Sequence, residues 1–545
     1  MSISRRHFVE SAGVAVAGAY LGPLLHHVRA PDHDIIVRGG TVFDGSGRAG
    51  READVAIAHG KVRAVQRRIR ARASLEIDGR GLAVAPGFID IHSHADDTLF
   101  DDPRLESVVR QGVTTVVVGQ DGSSRFPVNA ADSGRTFASV RDFFTAIDAL
   151  PAAANIATMV GLGTLREIVV GEDDRPATPE ELRRMVQMVQ DALDAGACGA
   201  SSGLEYTPGA FAPRDELVAL CRPLAHRGLC YATHMRNEDD RLLEAIDEAI
   251  AVARGARCRL QVSHLKTEGV RNWPKLDAVF ARIADARKDH LDVAFDRYPY
   301  TAYQTGLTNL LPVSALDGGT DKLLARLADS SELAKIREGT LAKVELIGGW
   351  DNVMISGVRA PEDKAAEGQR LGTYSQQLGV DPFDQMVHML QRNRADIGIV
   401  GFAMSEQNLE RILAHPQGMV CSDGGAFAIE GPARRGHPHP RGLGTFPRVL
   451  GHYVRERKVF PLETAIHKMT ALPASRLGLH DRGRLAVGAA ADVVVFDPAT
   501  IDDRATYTDP FQYPAGISAV IVNGAVAVRD GEHTGASTGT AVRPG

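Results

Sequence analysis

The sequence predicts an α/β chain: a (β/α)8 TIM-type barrel with a small β-sandwich-like domain formed from both chain termini. Three observations predict it. Apolar strand-like runs alternate with helical patterns through the middle of the chain, polar residues recur where those runs end, and glycine-punctuated strands stand near both termini. The 545 residues exceed one ordinary core and suit a large barrel with a smaller companion.

In chain order, Ser4-Arg5-Arg6-His7-Phe8 precedes a weakly apolar stretch from Ser11 to Leu25. That pattern is similar to a twin-arginine export signal, and Val28-Arg29-Ala30 offers a cleavage site, so residues 1–30 are expected to be removed. Gly22 and Pro23 interrupt the stretch, which falls short of the ~20 apolar residues of a spanning helix. The expectation is a periplasmic or secreted protein with no membrane attachment after cleavage.

Residues 31–85 then carry strands at Asp34 to Val42 and Ala53 to Ile57, the N-terminal part of the small β domain. The barrel is expected over 86–480. Its eight runs are Phe88 to His94, Val113 to Gly119, Ile156 to Gly161, Cys198 to Gly203, Leu229 to His234, Leu260 to His264, Val293 to Tyr298 and Met419 to Asp423. Asn352 to Gly357 and Ile397 to Gly401 compete as strands. Between the runs, Pro179 to Ala195 and Asp239 to Arg254 show helical spacing, with Thr178 and Asn237 as N-caps. A charged stretch from about Val313 to Gly372 reads as an insertion. Residues 481–545 return to strands, at Ala491 to Asp497 and Val520 to Gly524, completing the small domain.

Barrels of this kind place their chemistry at the carboxyl ends of the strands. Here His92 and His94 end the first run, His234 the fifth, His264 the sixth and Asp423 the eighth. In a strand, His92 and His94 face one side, which makes half of a metal site. Imidazoles with a carboxylate suit Zn2+ or another divalent ion, one or two of them, and metal-bound hydroxide is then the nucleophile. Asp423 is the candidate general base and then acid, with a plain turn at Asp423-Gly424-Gly425 as the alternative.

Composition narrows the partners. The hydrophobic fraction is 44%, the charged fraction 24% and the net charge −6, which suggests no nucleic-acid surface. Cys198, Cys221, Cys230, Cys258 and Cys421 are scattered and lack C-x-x-C spacing, so neither a zinc ribbon nor a disulfide framework is indicated. A small-molecule substrate remains.

The motifs resemble the amidohydrolase superfamily and, within it, the N-acyl-D-amino-acid deacylases. The resemblance rests on Gly87 to His94, Ser201 to Gly209, Thr233-His234-Met235-Arg236, Ser263-His264-Leu265-Lys266, Ser422-Asp423-Gly424, His437 to Arg441, Gly444 to Arg448 and Met469 to Ala474. The first motif marks only the superfamily; the others together mark the deacylases. The resemblance implies that His234 and His264 hold the tight zinc, that His92 and His94 serve a weaker or second position, and that Asp423 is the acid/base. It implies metal-dependent hydrolysis of the amide of N-acyl-D-amino acids. A dipeptidase or cyclic-amide hydrolase on the same metal face is the runner-up, and a catalytically dead scaffold the reading from another class.

Lys266, two residues past a metal histidine, looks like a contact for the substrate carboxylate. Tyr206, Arg236 and Tyr298 are further candidates for substrate contact, and Arg441 is a carboxylate clamp or a loop anchor. One departure stands out. Where the family has a bridging cysteine after the second strand, this chain reads Gly119-Gln120-Asp121-Gly122, which puts Asp121 in the bridging slot and widens the choice of metal toward manganese. Glu205 is a further possible ligand and ranks after Asp121.

Overall fold

A computed structural model describes residues 31–127 and 136–545. The expected export signal, residues 1–30, lies outside the described residues. Among the described residues, no helix is long and apolar enough to cross a membrane.

The two chain ends meet in one hydrogen-bonded sheet, nine-stranded among the described residues. His33–Val42 pairs antiparallel with Arg51–Ala58, while Ala83–Pro86 pairs antiparallel with Val493–Phe496, which carries Ile517–Val522 on its other edge. The fully buried Val55, Ile57, Val493, Val495 and Ile521 supply its core. Ala83–Pro86 leads straight into the barrel. There Phe88 stacks on Phe446 at 5.7 Å and meets Phe496 of the terminal sheet at 6.3 Å, so the two units share an aromatic junction.

Among the described residues the barrel has eight parallel strands. They are Phe88–Asp90, Val113–Val118, Asn155–Thr158 continued by Val160–Gly161, Gly199–Gly203, Cys230–His234, Arg259–Val262, Val293–Arg297 and Gly418–Val420. Loops close the ring between the last strand and the first: the Asp423 amide donates to the His92 carbonyl at 2.8 Å, and the His94 amide to the Gly424 carbonyl at 2.9 Å.

Several strands stop earlier than the apolar pattern suggests. His92 and His94 follow the end of strand one, so they converge through a turn and not through strand alternation. Strand six stops at Val262 and strand eight at Val420, leaving His264, Lys266 and Asp423 on loops. The cause is local: His264 has φ 34° and Asp423 φ 49°, left-handed values that no strand accommodates.

Outside the strands, Thr178 caps Pro179–Asp194 with a full capping box, its Glu181 partner included. Asn237 is not a helix cap. The helix starts at Leu242, and Asn237 instead accepts the Asp239 and Arg241 amides in the loop before it. The inserted unit is wider than 313–372, because Ala302–Gly306, Val353–Val358 and Ile397–Phe402 form an antiparallel sheet with Ile397–Phe402 in the middle. Pairing joins segments almost a hundred residues apart. All five cysteines are buried thiols without a disulfide partner.

Candidate metal centre

Strand two delivers Asp121. The chain leaves Val118 through Gly119 (φ 74°) and reaches Gly122 (φ 80°), where a Cβ would stand 2.7 Å from the Gly203 nitrogen. Only glycine fits that approach. Asp121, between them, takes φ 51° itself, and its side chain points among the histidines. Its Oδ2 lies 3.4 Å from His92 Nε2, 3.6 Å from His94 Nε2, 3.4 Å from His264 Nε2 and 3.9 Å from His234 Nδ1. One carboxylate oxygen therefore faces four imidazoles.

Asp423 closes the other side. Its Oδ1 stands 3.2 Å from His94 Nε2 and 3.5 Å from His92 Nε2, while Oδ2 accepts Arg441 Nη1 at 2.6 Å. Among the described residues the donors form two groups, His92–His94–Asp121–Asp423 and Asp121–His234–His264, sharing Asp121; a third, Glu205–His234–Glu238, lies behind His234.

These residues fit a divalent ion. Neither ring nitrogen of His92 makes a hydrogen bond, although the ring is buried, and Asp121 Oδ1 is likewise without a partner. The electrostatics agree. Burial disfavours charge on His94, yet Asp121 and Asp423 lift its pKa to about 10, and they raise His92 well above its usual value against the same penalty. Burial likewise opposes charge on Asp121, but His92 and His264 hold it well below the carboxylate range. The pocket favours positive charge at the point where the donors converge, which a metal supplies.

Behind the donors stand three further carboxylates, of which the motifs mark only Glu205. Glu238 Oε1 is 3.2 Å from His264 Nδ1, and Oε2 is 2.5 Å from Lys266 Nζ and 3.6 Å from His234 Nε2. Glu205 Oε2 is 3.2 Å from His234 Nε2, so Glu205 sits on the far nitrogen of that ring, away from Asp121. Asp296, inside strand seven, places Oδ1 3.4 Å from His92 Nδ1 and accepts the His264 amide at 2.8 Å. A signal for Asp296 exists in the sequence: a lone carboxylate within Val293-Ala294-Phe295-Asp296 has to be paired once buried.

The donors open into a cavity of about 960 Å³ lined also by Tyr206, Lys266, Tyr298 and Arg441. Tyr206 packs its ring on His234 at 4.7 Å and receives Thr305 Oγ1 at 3.1 Å. Tyr298 lies beneath Arg441, with the guanidinium 4.7 Å from its ring, and its buried hydroxyl has no hydrogen bond. Burial opposes charge on Lys266, but Glu238 keeps its pKa above the ordinary value, so it is a cation. Arg236 is not brought to this cavity. It is spent on Glu248 (2.8 and 3.0 Å) and on the carbonyls of Ala210 and Ala212.

A barrel with imidazoles and carboxylates gathered at the carboxyl ends of its strands defines a metal-centred barrel enzyme. The amidohydrolase family profile matches residues 75–313 and 434–528. An N-acyl-D-aspartate deacylase of Alcaligenes xylosoxydans xylosoxydans is 37% identical over 94% of this chain and 95% of its own. A D-aminoacylase of the same organism is 37% identical over 93% of this chain and 96% of its own. The solved N-acyl-D-glutamate deacylase of Bordetella bronchiseptica, complexed with zinc and a phosphonate inhibitor, matches with a TM-score of 0.80 at 34% identity, covering 94% of this chain and 99% of that one. The present chain belongs to the amidohydrolase family.

Proposed function

We propose that this enzyme hydrolyses the amide of N-acyl-D-amino acids at a zinc centre of one or two ions. The observation that carries the reading is the single Asp121 oxygen facing four imidazoles, opposite an Asp423 held by Arg441, at the floor of a cavity fit for a small molecule. His234 and His264 with Asp121 would hold the tight position, and His92 and His94 with the shared Asp121 the second, on donor groups that could each hold an ion. A divalent ion there would supply Lewis acidity and would lower the pKa of water to roughly 7.

The protein's own groups do the rest. Burial opposes charge on Asp423, yet Arg441, His264 and His92 hold its pKa far below the carboxylate range, so it starts as the base. It takes a proton from the attacking water and returns it to the amine nitrogen as the C–N bond breaks, leaving a carboxylate and a free amino acid. Lys266 and Arg441 set cations at the cavity wall for the substrate carboxylate, and the unpartnered Tyr298 hydroxyl is a donor for the acyl oxygen.

The test is a panel of N-acetyl-D-amino acids, their L enantiomers, dipeptides and hydantoins, with Asp423→Asn as control. Cleavage confined to N-acyl-D-amino acids and lost in the variant supports the reading. A panel in which those substrates are inert, or an undiminished variant, overturns it.

Export to the periplasm by the twin-arginine route is also proposed, on Ser4-Arg5-Arg6-His7-Phe8 and the apolar stretch after it. Lys-for-Arg replacement at Arg5 and Arg6 is expected to keep the protein in the cytoplasm.

A further inference from the structure

We propose that the recess between the loops after strands four and six and the inserted sheet is a subsite for a cationic group of the substrate, an ammonium or guanidinium, with Glu268 as its counter-charge. The inference rests on the deacylase reading and names the substrate class which that reading leaves open. Glu268, two residues past Lys266, is 3% exposed, and Tyr303, in the inserted strand Ala302–Gly306, is 5% exposed. Both line the cavity beside Glu205 and Asn309. Glu268 Oε1 and the Tyr303 hydroxyl are buried without a hydrogen bond, so a carboxylate oxygen and a phenol oxygen are left for a ligand at one recess. Burial, with Glu268 nearby, keeps that phenol protonated.

Glu205, Glu238, Glu268 and Asp239 set carboxylates around the recess, against the ammonium groups of Lys266 and Lys343. Lys266 is held by Glu238 at 2.5 Å, while Lys343 stands 2.7 Å from Asp239 Oδ2 and 3.1 Å from Glu268 Oε1, the latter without hydrogen-bond geometry. Glu205 accepts Asn309 Nδ2 at 3.3 Å and lies against His234. Farther out, Arg359 pairs with Asp396 and Lys364 with Glu367. Burial opposes charge on Lys343, yet Glu268, Glu205 and Asp239 raise its pKa well above the usual value. Burial also raises the pKa of Glu268, and Glu205 and Asp239 add to the rise in spite of Lys343. One ammonium is thus held, and the carboxylate beside it remains short of positive charge. An anionic group entering here would meet Glu205 and Glu268, and an aliphatic one finds a single branched aliphatic side chain, Val358, among the described residues lining the cavity. An ammonium donates to Glu268 Oε1 and to the Tyr303 oxygen, the first of these a charge-assisted bond on both sides. The neighbouring Lys266 is the proposed contact for the substrate carboxylate, so the cation is carried on the amino-acid side chain or on the acyl group.

The test compares kcat/KM of the metal-loaded enzyme within two pairs of substrates, each pairing an ammonium with its methyl isostere. Nα-acetyl-D-lysine against N-acetyl-D-2-aminoheptanoate puts the cation on the side chain. N-(4-aminobutanoyl)-D-alanine against N-pentanoyl-D-alanine puts it on the acyl group. In one pair the ammonium should be preferred about 10- to 100-fold, the range of a hydrogen bond to a charged group, and that pair identifies which arm of the substrate enters the recess. Glu268→Gln should reduce the preference by about tenfold. A merely structural carboxylate would slow both members of the pair alike and leave their ratio as it was. Methyl isosteres cleaved as well as the ammonium substrates in both pairs, or a ratio unchanged in Glu268→Gln, overturns the proposal. If Glu268→Gln fails to fold, the ratios of the parent decide alone. Cleavage of all four substrates without an ammonium preference removes this subsite and leaves the deacylase reading standing, whereas a panel inert throughout overturns both.

Discussion

The two halves of the metal centre are built differently. His234 and His264 are 5% and 2% exposed at the side chain and are braced on their far nitrogens, His234 by Glu205 at 3.2 Å and His264 by Lys266 at 2.8 Å. On the other side His94 is 29% exposed, and its Nε2 meets the same Asp423 oxygen that faces His92. One half is preorganised to hold an ion. The other combines metal donors with the proposed acid/base and opens to the cavity. Preorganisation lowers the cost of binding, so the braced half should hold its ion more tightly, while the open half meets substrate.

That contrast can be broken at its strongest point. His264→Ala removes a braced ligand, and metal analysis of the purified protein should show the tight equivalent gone, with turnover reduced to background. His92→Ala should cost only the second equivalent. If both variants lose metal equally, the halves are not distinct. Next in size is Asp423→Asn, expected to lower kcat about 10²- to 10⁴-fold while zinc binding at the tight position persists. Loss of that zinc in Asp423→Asn would make Asp423 a ligand of the braced half.

Much of this site was legible because of where the residues stand. His92, His94, His234, His264 and Asp423 each close an apolar run, and such a position on a parallel barrel has one destination. Their approach was less legible. The left-handed turns at Asp121, His264 and Asp423 end the strands early, and nothing in an apolar run announces a reversal of φ. The place of Glu238 beside Lys266 could not be read at all, since it depends on a loop folding back until its carbonyl meets the Glu268 amide thirty residues on. Arg236 misled for the opposite reason. It sits two residues past His234, and sequence adjacency says nothing about side-chain direction once the strand has stopped. The inserted sheet, paired between 302–306 and 397–402, is a long-range contact that periodicity does not encode.

Asp121 joins the halves, so exchanging its chemistry sharpens the comparison without dismantling it. Asp121→Cys replaces a hard oxygen with a softer thiolate, which should shift preference from manganese toward zinc roughly tenfold. The shift should be read at both positions, because Oδ2 lies 3.4 Å from His264 Nε2 and 3.4 Å from His92 Nε2. A shift confined to one equivalent, followed by metal competition, would show that Asp121 belongs to one half only.

The smallest effect on catalysis is expected at Arg236, and it tests whether the braced half ends where the geometry places its edge. Its guanidinium makes a two-point pair with Glu248, at 2.8 and 3.0 Å, and donates to the Ala210 and Ala212 carbonyls at 2.6 and 2.8 Å. These bonds pin the loop after strand four to the helix Leu242–Ala256, beside the cavity and not within it. Arg236→Ala leaves Glu248 without its partner and two carbonyls short of a donor, a loss of about 1–3 kcal/mol of stability. Metal content and kcat/KM should stay within about twofold of the parent. A tenfold fall in kcat/KM with unchanged metal content would return Arg236 to the substrate, and with it the outer wall of the pocket to the loop after strand five.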